Sequence, residues 1–133
     1  MIGEEEQKQS VGKLNGTQNK ILESLLMQFD EKKIYLNSQL NILDLVQLVG
    51  TNRTYISTII NQEYNHNFCT FVNSYRLDEL DRVFHKNPDL NPEKLSECCG
   101  FGSLISLRRA IYAKTGLSIS QWKQQQLSKG QPN

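Results

Sequence analysis

An internal repeat constrains the fold of this chain more than any other feature of its sequence. Apolar and turn residues of the first half recur as similar residues in the second half. The two members of a pair are 50 positions apart up to the pair Gly50 and Gly100, and 51 positions apart after it. The pairs are Leu40 and Leu90, Leu45 and Leu95, Gly50 and Gly100, Ile56 and Leu107, Ile60 and Ile111, Asn65 and Gly116, and Phe71 and Trp122. Asparagine and glycine both tolerate the left-handed backbone that ends a helix. Each half therefore predicts a helix, a tight turn, a second helix, a residue that caps the end of this second helix, and a return of the chain.

Apolar residues recur at helical spacing along most of the chain, and no segment alternates as a strand would. The predicted helices cover approximately 17–32, 41–50, 52–65, 67–85, 91–100, 103–114 and 118–126. Asn41, Asn52 and Asn91 are good N-caps, and Ser118 with Gln121 has the spacing of a capping box. The segment "KKIYLNSQ" is predicted as a loop or a short extended piece. The expectation is an all-α fold of about seven helices, with two helix-turn-helix subdomains joined by one long helix.

The same pattern predicts a domain organisation. Residues 1–16 lack periodicity and are expected to be disordered or derived from an expression vector. Residues 17–66 form the first helix-turn-helix subdomain with its leading amphipathic helix, and 87–126 form the second. Residues 67–86 form the linker helix, which contains neither proline nor glycine over 67–85 and should make about five turns. Residues 127–133 are expected to be a flexible tail.

Composition narrows the class of protein. The chain has 133 residues, a net charge of +1 and a sequence pI near 7.7, a weak electrostatic signal for a nucleic-acid binder. No stretch approaches the roughly 18 apolar residues of a membrane span, and the acidic N-terminus does not resemble a signal peptide. We expect a cytoplasmic domain without membrane contact. Three cysteines are too few for a disulfide framework, and Cys98 and Cys99 are expected to be small core residues.

A short buried helix, a glycine turn and a second helix is the pattern of the helix-turn-helix motif. In that motif the second helix, the recognition helix, lies in the major groove of DNA, and its N-terminal residues meet the base edges. One such pattern is a weak signal because any small helical hairpin resembles it. Two copies joined by a long helix are much more specific.

Residues from about 40 to 124 resemble the DNA-binding domain of AraC/XylS-type bacterial transcription regulators. The segments "LDLVQLVGTNRTYISTIINQEYNHNFCTFVNSYRLDEL" and "LSECCGFGSLISLRRAIYAKTGLSISQW" carry the resemblance. The most family-like features are Gly100-Phe101, the Tyr-Arg-Leu at 75–77 and the ending "KTGLSISQW". The wording "GTNRTYIS" is similar to members from Bacteroides-like bacteria, where the module often ends a larger sensor, including hybrid two-component proteins.

The chain departs from the family pattern at several positions. Ile119 and Trp122 stand where the family usually has proline and tyrosine. Leu107 and Ile111 replace a usual aromatic pair with aliphatic residues, which should conserve burial. Leu104 and Ile105 stand where many members carry polar residues that meet bases.

The first recognition helix has a buried stripe of Ile56, Ile59 and Ile60, which leaves a polar face outward. Arginine can bind guanine through both its forked donors, and hydroxyl groups can meet bases or phosphates. The alternative is a solvated polar face on which Asn52 is only a cap. The candidate DNA-binding residues of this helix are Asn52, Arg53, Thr54, Tyr55, Ser57 and Thr58.

The second recognition helix has a different set of candidates. The resemblance implies that Arg109 reads a base or a phosphate, although an ion pair with Asp78, Glu79 or Asp81 is an open alternative. Leu104 and Ile105 can touch thymine methyl groups or pack against a partner domain, and the sequence leaves both open. Ser118 and Lys123, at the last helix, are candidate phosphate contacts. The candidates of the recognition helix itself are Ser103, Leu104, Ile105, Ser106, Arg108 and Arg109.

Other classes of function find less support in the sequence. His66 and His85 lie in different elements, so we expect no catalytic, cofactor or metal site and no enzymatic activity. The expected partner is double-stranded promoter DNA, with RNA polymerase as a further candidate and a sensor domain outside this chain. The alternative is a helical protein-interaction module of a larger signalling protein, with weak or no DNA binding of its own. In it, the amphipathic helix over 17–32 could dock onto a sensor or dimer partner.

Overall fold

The computed structural model describes residues 14–129, and within that range the chain is all-helical, with seven α-helices, one 3-10 turn and no strand. This confirms the predicted all-α fold. The helices are α1 Gly16–Asp30, α2 Ile42–Val49, α3 Arg53–Tyr64, α4 Phe68–Lys86, α5 Pro92–Cys98, α6 Leu104–Thr115 and α7 Ile119–Lys129, and the 3-10 turn is Ile34–Leu36. None of these helices is long and apolar enough to cross a bilayer.

The two ends of the described range differ from the predicted boundaries. Helix α1 begins at Gly16, because Asn15 caps it: the Asn15 Oδ1 accepts from the Gln18 amide at 2.8 Å, and the Gln18 Oε1 accepts from the Asn15 amide at 3.0 Å. Helix α7 continues to Lys129, so its last residues are helical where a flexible tail was predicted. The rest of the predicted N-terminal segment and tail, 1–13 and 130–133, lies outside the described residues.

The chain divides into two compact units. The first unit contains the described residues up to Ile34 together with Gln39–Val72. The second contains Tyr35–Ser38 and the described residues from Asn73 onward. The division falls inside α4, so this helix supplies its first residues to one unit and the remainder to the other.

The core of the first unit is formed by α1, α2, α3 and the start of α4. The Phe71 ring meets the Phe29 ring edge-on, with centroids 4.9 Å apart, and lies 5.1 Å from the ring of Tyr64. Removal of this apolar surface from water is the main stabilising force. The buried apolar side chains are Leu25, Phe29, Leu45, Ile56, Ile59, Ile60, Phe71 and Val72.

Helix α2 is less buried than its composition predicts. Leu45 is fully buried, but Leu43 and Leu48 are 58% and 48% exposed. The reason is geometric, because α2 packs against α1 and α3 on one side only and a helix turns about 100° per residue. Tyr55 on α3 is also 45% exposed and does not belong to the buried stripe.

The core of the second unit surrounds Trp122, whose ring lies 5.1 Å from that of Phe84. Leu107 and Ile111 stand where an aromatic pair is usual in the AraC/XylS-type domains that the sequence resembles. Both are buried in this core, as predicted. The buried cluster consists of Leu80, Phe84, Leu95, Cys99, Phe101, Leu107, Ala110, Ile111, Ile119 and Trp122.

The prediction that both neighbouring cysteines belong to the core is wrong for Cys98. Cys99 is fully buried, and burial raises the pKa of its thiol to about 12. Cys98 is exposed, as is Cys69. Successive residues at a helix end point in different directions. Ser96 rather than Cys98 is buried, and its hydroxyl donates to the Glu93 carbonyl at 2.7 Å.

Tyr35–Ser38, predicted only as part of a loop, is an integral part of the second unit. The Tyr35 side chain is buried, and its ring lies 5.5 Å from that of Tyr75. Arg76 holds the backbone of this segment: its Nε donates to the Tyr35 carbonyl at 2.8 Å, and an Nη donates to the Asn37 carbonyl at 2.9 Å. A charged donor to a part-buried carbonyl makes a strong hydrogen bond.

Two glycines allow this segment to lie close to the turn between α5 and α6. A Cβ atom on Gly100 would lie 2.3 Å from the Tyr35 carbonyl oxygen and 2.8 Å from the Leu36 Cα. A Cβ atom on Gly102 would lie 2.6 Å from the Ser38 Cβ. Both glycines also have positive φ angles, of 89° and 78°. Glycine is therefore required in this turn for space as well as for backbone conformation.

We predict that Gly100→Ala destabilises the second unit more than Gly116→Ala does. Both residues have positive φ, but a Cβ on Gly116 would meet nothing within 4 Å. The shared backbone strain should cost about 1–2 kcal/mol, and the clash at Gly100 should add roughly 1–3 kcal/mol. Urea unfolding followed by the fluorescence of buried Trp122 measures both. Equal losses in the two variants would show that the close approach is unimportant.

Candidate nucleic-acid interface

The two copies of the repeat begin and end their helices with equivalent caps. Side chains of asparagine or serine accept from the first amides of each helix, and residues with left-handed φ end the second helix of each copy. These residues fall at the repeat offset of 50 or 51. The pairs are Asn41 and Asn91, Asn52 and Ser103, Asn65 and Gly116, and Asn67 and Ser118.

Helix α3, the second helix of the first copy, presents the predicted polar face. Its buried stripe consists of Ile56, Ile59 and Ile60, as the sequence predicted. Asn52 is the N-cap, and its Oδ1 accepts from the Tyr55 amide at 2.9 Å. The predicted contact residues Arg53, Thr54, Tyr55 and Ser57 are exposed, and Thr58 is half-buried.

Helix α6, the second helix of the other copy, is capped by Ser103. The Ser103 hydroxyl accepts from the Ser106 amide at 3.1 Å and donates to the Ser106 hydroxyl at 3.0 Å. Leu107, Ala110 and Ile111 face the core. Ser103 and Ser106, both predicted to contact DNA, therefore cap the start of α6, and their hydroxyl groups lie on its exposed side.

The structure separates the two aliphatic residues at the start of α6. Leu104 is half-buried and packs against the core of the second unit, which corrects the expectation that it faces outward. It shares a helix face with Leu107 and Ile111, three and seven residues further on. Ile105 points away from that face and is 56% exposed.

The predicted arginine pair is exposed on α6. Within residues 14–129, Arg109 does not form the alternative ion pair with the long helix, whereas Arg82 pairs with Glu79 and Lys94 with Glu97. Glu79 is buried, and Arg82 donates to its two carboxylate oxygens at 3.1 and 2.5 Å. The guanidinium groups of Arg108 and Arg109 therefore lie on the surface without an acidic partner in the described part of the chain.

The predicted phosphate contacts at α7 occupy different environments. Ser118 caps the helix: its hydroxyl accepts from the Gln121 amide at 3.1 Å, and the Gln121 Oε1 accepts from the Ser118 amide at 2.9 Å. This confirms the predicted capping pattern. Lys123 is half-buried, and its Nζ donates to the Leu90 carbonyl at 3.3 Å, within the second unit. Its contact with phosphate stays a prediction.

An open groove lies at the equivalent place in each unit, between the second helix of the repeat (α3 or α6) and the helix that follows it. In the first unit its lining is mostly polar: Ser57, Thr58, Asn61, Gln62, His66, Asn67 and Phe68. In the second unit it combines two arginines with an apolar side: Arg108, Arg109, Tyr112, Gly116, Leu117, Ser118 and Gln121. Tyr112, which is not among the residues predicted from the sequence to contact DNA, is 65% exposed on α6.

The small net charge conceals a strong segregation of charge along the chain. Glu97 is the last acidic residue, and every charged residue after it is basic: Arg108, Arg109, Lys114, Lys123 and Lys129. These five positive charges lie on α6 and α7, so the preceding part of the chain must carry a net charge of about −4 to give the total of +1. This segregation was present in the sequence, but the net charge of the whole chain obscures it.

Residues 14–129 hold no cluster of three or more His, Cys, Asp or Glu side chains suited to a metal ion.

Within residues 14–129 the architecture is all-α, with two copies of a short helix, a turn and a second helix, and with a long helix that contributes residues to both units. It is similar to the C-terminal domain of AraT, a response regulator from Geobacillus stearothermophilus, with a TM-score of 0.63 and 18% sequence identity over 71% of this chain and 77% of that chain. At this identity the similarity shows a shared fold. The sequence matches no protein-family model and no curated protein.

We predict that Asn52→Ala lowers the free energy of unfolding by about 1 kcal/mol, because it removes the cap of α3. Thr54→Ala is the matched control, since Thr54 is exposed on the first turn of the same helix and should change stability by less than about 0.5 kcal/mol. Thermal or urea unfolding measures both. If Asn52→Ala is as stable as the control, the cap contributes nothing, and Asn52 must then be assigned another role.

Proposed function

We propose that this chain is a sequence-specific double-stranded DNA-binding domain of an AraC/XylS-type transcription regulator. Helices α3 and α6 are its recognition helices, and each enters the major groove. The observation that carries the proposal is the arginine pair of α6, exposed on a capped helix within a segment that has no acidic residue. Such a surface attracts the phosphate backbone, and the counterions it displaces favour binding.

The two recognition helices differ in the chemistry they offer. Helix α3 has one exposed cation, Arg53, at its first position, followed by the hydroxyl groups of Thr54 and Ser57. This set suits hydrogen bonds to base edges, with Arg53 on guanine. Helix α6 offers Arg108 and Arg109, and its groove ends at the capped start of α7, where backbone amides can donate hydrogen bonds to a phosphate. The second unit is therefore expected to contribute most of the electrostatic affinity.

The structural neighbour supports a place in signal-dependent regulation. The neighbour is the C-terminal domain of a protein described as a response regulator. By analogy of fold, we assign this chain the output role in a two-component or similar system, with promoter DNA as its partner. The proposal includes a cytoplasmic location, RNA polymerase as a second partner, a sensor domain that supplies the signal, and no enzymatic activity.

Selection of bound sequences from random double-stranded DNA, at two salt concentrations, tests this function. The wild-type protein should enrich one motif, and Arg53→Ala should bind it about 1–3 kcal/mol more weakly and tolerate all bases at one position. Lys20→Ala is the matched control, because it removes an exposed positive charge from α1, outside the recognition helices. If both variants retain the motif and the affinity, α3 is not a recognition helix.

The rival function is that of a helical protein-interaction module, which the exposed Leu43 and Leu48 of α2 favour. The same selection decides between the two. A wild-type protein that enriches no motif, and whose weak DNA binding disappears at moderate salt without any sequence preference, would overturn the proposed function in favour of this rival.

We predict that Arg109→Ala lowers the slope of log affinity against log salt concentration by about 1, as expected for the loss of one phosphate contact. Lys114→Ala provides the control on the same helix. Lys114 carries the same charge but lines a different groove, beside Leu77 and Asp81, and its removal should leave the slope nearly unchanged. Fluorescence anisotropy at several salt concentrations measures the slope. Equal slopes for all three proteins would remove Arg109 from the DNA contacts.

A further inference from the structure

The exposed face of α6 combines apolar and cationic side chains. Ile105 and Tyr112 are 56% and 65% exposed, and they are seven residues apart, so they lie on one side of the helix. Arg108 and Arg109 lie between them, one turn from each. The face thus presents an aliphatic group, then two guanidinium groups, then an aromatic ring.

Ile105 is the exposed apolar member of the first turn of α6. Its neighbour Leu104 packs into the core, and the hydroxyl groups of Ser103 and Ser106 bond to each other in the cap. In the isolated domain the Ile105 side chain is largely in water, so a partner that buries it gains hydrophobic free energy that folding leaves unused. A partner that covers Ile105 must therefore offer an apolar group beside the anionic groups that the arginines require.

The major groove of DNA meets both requirements. Its edges carry one apolar substituent, the 5-methyl group of thymine, and its walls are lines of phosphates. Residues in the first turn of a recognition helix are those that meet base edges. An acidic protein surface would also attract the arginines, but its binding would not depend on the methyl group of a thymine.

We infer that Ile105 reads a thymine through its 5-methyl group, about one turn before the contact made by Arg109. The inference rests on the proposed function and extends it, because it names the base that the second unit selects. Specificity in this unit then comes from apolar contact at one base pair, whereas α3 selects bases through hydrogen bonds. The bound site should contain a required thymine in the half that α6 contacts.

Replacement of thymine by deoxyuridine tests this inference, because it deletes the methyl group and leaves base pairing intact. Each thymine of the selected site is replaced in turn, and affinity is measured for the wild type, Ile105→Ala and Ile105→Val. For one thymine the wild type should bind about fourfold more weakly, the loss expected for one buried methyl group. Ile105→Ala should be insensitive to that replacement, and Ile105→Val should keep part of the sensitivity.

The control variant is Leu43→Ala, which removes an equally exposed aliphatic side chain from α2. It should show the full wild-type loss with deoxyuridine. Since Ile105 is largely exposed, circular dichroism should show that its variants are folded.

The outcomes separate the inference from the proposed function. Specific binding that no deoxyuridine weakens, or a loss that is the same in the wild type and Ile105→Ala, overturns the inference and leaves the proposed function standing. If Ile105→Ala binds every template as the wild type does, Ile105 serves another partner, and the inference fails. Absence of any sequence-specific binding by the wild type overturns both.

Discussion

The structure depends on the burial of one face of each short helix. Helices α2 and α5 have 8 and 7 residues, and isolated helices of this length are unstable in water. Each places one fully buried leucine, Leu45 or Leu95, into the core of its unit. Helices α3 and α6 are anchored in the same cores, through Ile56 and Ile60 in α3 and through Leu107 and Ile111 in α6. Their outward faces are fixed because their inward faces are buried.

The two copies share their local structure and differ in what surrounds it. Gly50 and Gly100 occupy equivalent turns and have φ angles of 80° and 89°. A side chain on Gly50 would meet open space, whereas one on Gly100 would strike the backbone of Tyr35 and Leu36. The second turn is thus covered by a segment from elsewhere in the chain, which Arg76 holds in place.

The distribution of charge bears on function more than its total does. All acidic residues precede Cys98, and the basic residues of α6 and α7 follow it. With acidic neighbours, Arg108 and Arg109 would form ion pairs on the surface, as Lys94 does with Glu97. In their absence the arginines are available to an anionic partner, which is the basis of the proposed binding to DNA.

The sequence by itself determined the helices, their caps and the repeat, because spacing, capping side chains and left-handed turn residues act over a few neighbouring positions. It also identified the outward face of α3, since three isoleucines at helical spacing leave one polar side. Only the tertiary structure decided which apolar residues are used in the cores: Leu104 and Cys99 are packed against them, while Ile105, Cys98 and Leu43 remain exposed. It alone placed Tyr35 in the second unit and excluded the ion pair of Arg109. These outcomes depend on which distant segment covers a given face, and no local pattern in the chain specifies that.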